Sequence, residues 1–563
     1  MLKRISLFLT FALLLLLTAC GGATSTPATG DATASDSVAE ETPAGDEETD
    51  AQASSSDADG EQVLIGAFDV GPGGAPQTVL YMSGGGHTWY AKLFTPLVMM
   101  NSDFTEFSPE GGLATSWEPN EDATVWTFKL REGVTWHDGE PFTAQDLKFT
   151  TEFVHHPDSP AVFPPFQFSG DIEGLDAYTA GEADEISGVV VVDDTTLEVH
   201  LTQPKPRFFA ELRWFYALPE HAIDFEPGEL DTTDWWWERP IGTGPFKFSR
   251  YEKDQFMELV PYEGYWEGAP LLDKLVNRYF ADETAAVLAL TSGDIDFTYV
   301  SADIVGQFQA DAAYQVFEGP SFVTNLFNYN YNRDVWQDQR VRQAILYGVD
   351  REAILQDVFN GTAIAAPCHD PFPAYWPEDA NPYAYDPAQA RELLAAATAD
   401  GVDVSATFEI PTYYTSQLAK DVLTVIQANL ADIGMNVQPT FLDVTTWRQL
   451  VDNDADFDIA YRGNGSSALA YELDSSYVEG NQWGIADPEF DRLIEEMNDA
   501  FTLEEYTTAR TALCAYQNEQ ATFGYWWVST RYGVAASDLV DFYFFPAPGG
   551  GPYVDNAQLW QKP

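Results

Sequence analysis

Four short segments carry residue types that could do chemistry. In Trp136-His137-Asp138-Gly139-Glu140 a histidine stands beside two carboxylates, the composition of a general acid/base pair. Ser83-Gly84-Gly85-Gly86-His87 has the glycines and hydroxyl of an oxyanion loop, and Gly242-Thr243-Gly244 begins like a phosphate-binding turn. His155-His156 offers two imidazoles for a metal. Each fails on spacing. Asp138-Gly139 reads as a tight turn, and no Gly-x-Ser-x-Gly nucleophile elbow accompanies the glycine loop. Pro245 and Phe246 follow the Gly-Thr-Gly at once, so no helix N-terminus can meet a pyrophosphate there. Adjacent histidines point to different faces of a helix. The expectation is a protein that is not an enzyme, with no metal and no cofactor.

The elements around these segments fall into two styles. Val125 to Leu130 alternates Trp126, Phe128 and Leu130 with Val125, Thr127 and Lys129, which predicts a strand with one buried face. Val134-Thr135-Trp136 reads as a second short strand. Thr143-Ala144-Gln145-Asp146 has capping-box spacing and predicts a helix to about His155. Val189 to Val192 and Leu197 to Leu201 flank Asp193-Asp194 as a hairpin. Further on, Gln339 to Tyr347 and Arg351 to Phe359 read as helices, with Asp350 capping the second, and Asp386-Pro387 opens another. Ala406 to Ile410, Ser416 to Ile433 and Met435 to Leu442 read as a β-α-β unit, so this later half is expected to hold a mainly parallel sheet flanked by helices.

Composition limits the partners. The 563 residues include 89 Asp and Glu against 27 Lys and Arg, a formal net charge of −62. Nucleic-acid binding needs cations to neutralise phosphates, so it is excluded, as is a polybasic grip on anionic lipid. Hydrophobic residues at 45% and aromatics at 14% supply a core, so the acid belongs to a folded protein. Residues 21–60 hold ten of the acids and no Lys or Arg, which predicts a self-repelling tether reaching on the order of 35 Å. Ahead of it, Lys3-Arg4 and the apolar run Ile5 to Ala19 read as a signal peptide, too short for a spanning helix of about 20 residues. Leu17-Thr18-Ala19-Cys20-Gly21 is similar to a bacterial lipobox, which implies cleavage before Cys20, lipidation of its thiol, and membrane contact through that lipid alone. Cys368 and Cys514 remain. In an oxidising compartment they form either a disulfide or two separate thiols.

Several blocks together resemble family 5 of the extracytoplasmic solute-binding proteins, the peptide, nickel and oligosaccharide receptors of ABC importers. They are Leu113-Ala114-Thr115-Ser116-Trp117, then Phe128-Lys129-Leu130-Arg131-Glu132-Gly133-Val134-Thr135-Trp136-His137-Asp138-Gly139, then Thr143-Ala144-Gln145-Asp146. Gly242-Thr243-Gly244-Pro245-Phe246, Tyr265-Trp266, Leu290 to Asp296, Arg340 to Ile345 with Val349-Asp350-Arg351, and Tyr385-Asp386-Pro387 follow in order. The resemblance implies an α/β fold of periplasmic-binding-protein type, class II (cluster C): two lobes around a ligand cleft, with an extra inserted domain. Domain I would comprise residues 61–92, 239–318 and 529–563, domain II 93–238, and domain III 319–528. It also implies a monomeric extracytoplasmic receptor that closes on a small-molecule ligand and presents it to an ABC permease with its ATPase.

Peptide receptors of this family carry an Asp after the strand that here reads Phe457-Asp458-Ile459-Ala460-Tyr461, and that Asp holds the peptide's α-ammonium. Here the segment continues Arg462-Gly463-Asn464-Gly465-Ser466-Ser467. A cation at Arg462 repels an ammonium, while Asn464 suits hydroxyls or amides. Trp89, Trp376, Tyr413, Tyr414, Trp483, Trp526 and Trp527 fall where a cleft would be lined, and flat rings stack on sugars. Trp89, Trp376, Tyr413, Arg462, Asn464, Trp483 and Trp526 are therefore the expected ligand contacts. The ligand reads as an oligopeptide, with an oligosaccharide as the alternative. A sensing or adhesion lipoprotein of the same fold is the second functional class.

Overall fold

The structure is a computed structural model that describes residues 60–68, 92–100, 107–161, 171–206, 215–253, 255–302, 304–465, 483–543 and 556–562, together with 208, 212, 473 and 475. The signal peptide, Cys20, the tether, Ser83 to His87, Trp89, Ser466, Ser467 and the side chain of Asn464 lie outside the described residues.

In chain order, β1 (Val63–Ala67) precedes the strands β2 (Ala114–Pro119) and β3 (Val125–Leu130) and the helix α1 (Ala144–His155). The hairpin β4 (Val189–Asp193) and β5 (Thr196–His200) and the short helix α2 (Trp235–Glu238) follow. Next come β6 (Phe246–Glu252), β7 (Phe256–Pro261), β8 (Lys274–Arg278), α3 (Glu283–Ser292), β9 (Phe297–Val300) and the 16-residue β10 (Tyr314–Tyr329). The last third holds α4 (Gln339–Gly348), β11 (Ala363–Ala365), α5 (Pro387–Ala399), β12 (Thr407–Thr412), α6 (Gln417–Asp432) and β13 (Asn436–Phe441). It ends with β14 (Ile459–Gly465), α7 (Leu503–Gln520) and β15 (Gly524–Ala536).

Local chemistry explains the boundaries. The Asp146 carboxylate accepts from Thr143 N–H at 2.9 Å, closing the capping box at the start of α1. Asp386 accepts from Ala388 and Gln389 N–H ahead of Pro387, and Ser416 accepts from Ala419 N–H at the start of α6. The predicted β-α-β unit forms, with β12 and β13 paired in parallel.

Two expectations need correction. Val134-Thr135-Trp136 makes only an isolated bridge from Thr135 to Pro141, because the Asp138-Gly139 turn brings those residues together without a continuing ladder. The later region is also not mainly parallel. Its large sheet runs β14-β10-β15 with β11 on the far side of β15, and every one of these pairings is antiparallel. The reason is the length of β10 and β15, which pair with each other from Tyr314↔Ala536 to Phe327↔Gly524. They leave one sheet region and run on into the next, where β9, β1, β8, β7 and β6 complete a nine-stranded sheet.

Apolar residues collect around this frame. One core lies under β10, β14 and β15 and includes Leu326, Phe327, Trp336, Ile345, Ile426 and Trp526. Two others cover opposite faces of the first sheet region, one with Phe297, Trp235 and Trp236, the other with Ala286, Ile295 and Val534. A fourth fills the β2-β3-β5-β4 sheet around Trp126, Phe128 and Trp136. The Trp235-Trp236-Trp237 run thus packs into the core around Phe297, with Trp235 and Trp236 edge to face at 4.9 Å.

Candidate functional site

In open α/β sheets ligands gather at the carboxyl ends of strands. In the last third of the chain those ends are Thr412 of β12 and Gly465 of β14, and they converge beside the point where β10 and β15 lose register. β10 follows β15 without a break from Tyr314 to Pro320; pairing resumes only at Thr324↔Val528, with a second shift between Asn325 and Leu326. Pro320 and Glu318 are exposed and Ser321 is partly so.

Alternation along β14 sends its side chains to two faces. On one, the Tyr461 ring meets Phe327 at 5.9 Å and Tyr414 at 5.6 Å. Tyr413 lies 4.7 Å from Tyr414 and 4.9 Å from Trp447, and its hydroxyl is 3.5 Å from the Gly463 carbonyl. A side chain at 463 would overlap the Tyr414 hydroxyl, so glycine is required there by space. Burial pushes the Tyr414 and Tyr461 hydroxyls well above the ordinary phenol range, and the neighbouring charges that act on them are those of other tyrosines. Both are therefore neutral hydrogen-bonding groups at any physiological pH.

On the opposite face the Arg462 guanidinium lies 4.7 Å from the centre of the Trp483 ring. That indole is fixed in turn: its Nε1 donates to the Val451 carbonyl at 3.2 Å, and Phe457 and Phe523 meet its edge. Register places Arg462 opposite Leu326 and Asn464 opposite Thr324, so Thr324 and Arg462 are diagonal neighbours on this face. Thr324 is 0% exposed and its hydroxyl has no hydrogen-bond partner among the described residues.

The expected contacts therefore separate. Tyr413 and Arg462 both lie near the end of β14 and are partly exposed, Tyr413 on the Tyr461 face and Arg462 on the other. Trp483 and Trp526 are enclosed: Trp483 is the platform under Arg462, and Trp526 packs edge to face on Phe327 at 4.9 Å. Trp376 belongs to a different neighbourhood, where its Nε1 donates to the Asp370 carbonyl at 2.7 Å. There the sulfurs of Cys368 and Cys514 are bonded, their Cα atoms 5.3 Å apart. Asp370 also pairs with Arg510, whose guanidinium stacks 3.9 Å from the Tyr375 ring. Burial alone would lower the Arg510 pKa, but the Asp370 charge outweighs it and holds the group fully cationic. Sequence reasoning missed Thr324, Tyr461 and Gly463; a lone Thr in a run of apolar and aromatic residues gives no signal before its strand partners are known.

The early motif residues do other work. His137 clamps the Gly-Thr-Gly turn: its Nδ1 accepts from Gly242 N–H at 3.1 Å, and its Nε2 faces the Gly244 carbonyl at 3.1 Å, so Nε2 carries the proton. Burial, opposed in part by that carbonyl, pushes the His137 pKa down to about 4. Asp138 pairs with His221 at 2.8 Å. Arg342 donates to the carbonyls of Gln520 and Ala521 at the C-terminus of α7, a stabilising cap, and Arg351 donates to the carbonyls of Ala366 and Tyr525, tying the end of β11 to β15. Among the described residues no cluster of His, Cys, Asp and Glu is placed to hold a metal, and no helix is long and apolar enough to cross a membrane.

Comparison with known proteins adds to this geometry. The family described as bacterial extracellular solute-binding proteins, family 5, matches residues 108–477. A Brucella ovis protein, whose name assigns it to peptide binding in an ABC transporter, is 36% identical over 514 residues, covering 88% of this chain and 93% of its own. The dipeptide-binding protein of Escherichia coli is 30% identical over 369 residues, 62% of this chain and 65% of its own. Among solved structures, the oligopeptide-binding protein AppA of Bacillus subtilis, in complex with a nonapeptide, superposes with a TM-score of 0.71 at 21% identity, covering 89% of this chain and 99% of that one. The fold is thus the two-lobed α/β architecture of periplasmic binding proteins.

Proposed function

The chain belongs to family 5 of the bacterial extracellular solute-binding proteins, a family of receptors and not of enzymes, and from that premise we propose that it captures an oligopeptide outside the cytoplasmic membrane and delivers it to an ABC permease. The observation that carries the reading is the collinear likeness, over most of both chains, to a relative named for peptide binding. Domain I is taken as 61–92, 239–318 and 529–563, domain II as 93–238 and domain III as 319–528, with the ligand enclosed when the lobes close about β10 and β15. Binding energy shifts the open and closed populations, and no bond is made or broken. Cys20 carries the lipid that anchors the monomer, and the acidic segment behind it serves as tether.

An oligosaccharide ligand rested on exposed flat rings. Trp483, Trp526 and Trp527 are enclosed in the core, which leaves Trp376, Tyr413 and Tyr414 partly exposed and weakens that reading. A thermal-shift screen of the mature protein with di- to pentapeptides and with β-linked oligosaccharides tests the choice. Peptides are expected to raise the melting temperature as RT ln(1 + [L]/Kd) requires, and stabilisation by sugars alone would overturn the peptide reading. Metabolic labelling with a fatty acid, lost in Cys20→Ser, tests the anchor.

A further inference from the structure

The sequence holds two Asn-Gly pairs, and the structure describes both side chains of one, Asn360-Gly361. Glycine has no side chain to hinder its own nitrogen, so an asparagine before it is open to attack by the main chain. Asn360 follows the π-helical turn Ile354–Val358 with φ +53°, and Gly361 comes next at φ +74°; both are left-handed, as a helix exit requires. Asn360 is exposed, and its carboxamide makes no hydrogen bond among the described residues. The nucleophile is held, however: Gly361 N–H donates to the Leu355 carbonyl of the preceding turn at 2.8 Å. An amide that keeps its proton cannot attack. The chain is also pinned on both sides of the pair. The buried Phe359 ring meets Trp527 at 5.0 Å, and the Thr362 carbonyl accepts from Thr530 N–H at 3.0 Å. β11 then begins with Ala363 opposite Ser529, the residue of β15 that β10 passes without pairing.

We propose that Asn360-Gly361 is a deamidation site, shut by the Gly361–Leu355 hydrogen bond and opened when that turn frays, whose isoaspartyl product loosens β11 from β15. In the open form the Gly361 nitrogen gives its proton to solvent and bonds to the side-chain carbonyl carbon of Asn360. The bond from that carbon to the amide nitrogen breaks, ammonia leaves with a proton from solvent, and a cyclic imide remains. Water then adds at either imide carbonyl and gives aspartate or isoaspartate. Overall, water is consumed and ammonia released, with no oxidation or reduction. Isoaspartate routes the main chain through the side-chain methylene, which lengthens it between Phe359 and Thr362 and leaves a new carboxylate. Both ends of that short segment are pinned, so the added length falls on the Thr362–Thr530 contact. The site does not depend on which solute the receptor binds.

The test ages the mature protein at pH 8, folded and in guanidinium. Peptide mapping by mass spectrometry follows aspartate and isoaspartate at 360, and amide hydrogen exchange follows Gly361. Folded protein is expected to react at least about tenfold more slowly than the unfolded chain, and the lag should match the Gly361 protection within about threefold, because both reactions wait on one opening. Equal rates in the two states, or a lag outside that match, would overturn the guard; no product at 360 in the unfolded chain would overturn the site. Thr362→Val removes the hydroxyl that donates to the Phe359 carbonyl in the same turn, and should speed deamidation and Gly361 exchange together by about fivefold, the worth of one hydrogen bond. A change in one without the other, or in neither, breaks the link between them. Isoaspartyl protein separated from the aged sample should lose protection at Thr530 N–H by at least about tenfold, while Asn360→Asp, which adds the charge without the length, should keep it. Loss in both alike would assign the effect to charge, and loss in neither would detach the site from β15; either result overturns the last step.

Discussion

Residues 92–95 and 242–244 lie backbone against backbone, whereas β10 and β15, which run from one sheet region into the next, form a ribbon with broken register. At the first junction Gly244 N–H donates to the Leu93 carbonyl at 2.8 Å, and Thr95 donates twice to Thr243, from its N–H to the hydroxyl and from its hydroxyl to the carbonyl. Lys92, Thr95 and Thr243 are buried, and His137 seals the outer side. At the second junction residues 321–323 of β10 pass the single residue Ser529 of β15 without pairing, Pro320 and Glu318 are exposed, and Ser529, Thr530 and Arg531 are partly exposed on the partner strand. One junction is tied by direct hydrogen bonds, and the other has unpaired positions at its register break. The most recognisable motifs of this chain, Trp-His-Asp-Gly and Gly-Thr-Gly-Pro-Phe, belong to the first junction, while the candidate contacts Tyr413 and Arg462 stand beside the ribbon in segments with no motif at all.

Gly242→Ala is the sharpest way to break that contrast. A Cβ at 242 would overlap the Leu93 carbonyl oxygen, and backbone cannot yield as a flexible side chain can. The expected cost exceeds about 4 kcal/mol, enough to prevent folding or halve the soluble yield. Urea unfolding followed by fluorescence measures it; a cost below about 1 kcal/mol would mean that the junction is not rigid.

Next in size is the disulfide, which ties the Cys368 loop to α7 without touching either junction. Cys368 and Cys514 are 146 residues apart, so losing the bond frees a long loop in the unfolded chain, and a Cys368→Ser/Cys514→Ser double variant should lose about 2–4 kcal/mol. Affinity for the di- to pentapeptides should stay within about threefold of wild type, because the bond braces the Asp370–Arg510 region and not the end of β14. A large drop in affinity with no loss of stability would reverse that assignment.

His137 gives the first junction a pH dependence. Its folded pKa of about 4 lies below the unfolded value near 6.5, so the unfolded chain takes up a proton that the folded one refuses. The stabilisation is therefore complete above pH 6.5 and is lost as pH falls toward 4. Since His137 is partly exposed, about 1–2 kcal/mol is expected from this group. Urea midpoints at pH 7 and pH 4.5 should differ less in His137→Gln than in wild type; an identical slope would remove His137 from the junction.

Much of the fold could be read from local chemistry, because the caps at Thr143, Ser416 and Asp386 and the alternation of Val125 to Leu130 are decided by residues a few positions apart. The antiparallel sheet of β14, β10, β15 and β11 could not, since its pairings join residues as far apart as Tyr314 and Ala536 and nothing local marks β10 as a strand that runs from one sheet region into the next. The site divided in the same way. Arg462 stood out as a cation in the segment where the family resemblance implies an Asp that holds an ammonium, and Tyr413 as a ring at a strand end. Trp483 and Trp526 carried the same signal as Tyr413, and only packing distinguishes a ring beneath an arginine from a ring at a rim. Thr324 became visible only once its register opposite Asn464 put it on Arg462's face.

The smallest expected effect on stability tests the ribbon itself. Pro320 is exposed and stands at the last paired position before the register break, so Pro320→Gly removes no buried contact. Its cost should be about 0.5–1 kcal/mol, arising mainly from the greater freedom of the unfolded chain. The effect on motion should be larger than the effect on stability. With fluorophores on exposed positions of the two lobes, single-molecule distance distributions of the ligand-free protein should broaden in Pro320→Gly relative to wild type, while the same measurement across the first junction stays unchanged. A loss of stability approaching that of Gly242→Ala, or a broadening at both junctions alike, would erase the difference between them, and closure would then have to be sought outside the β10/β15 crossing.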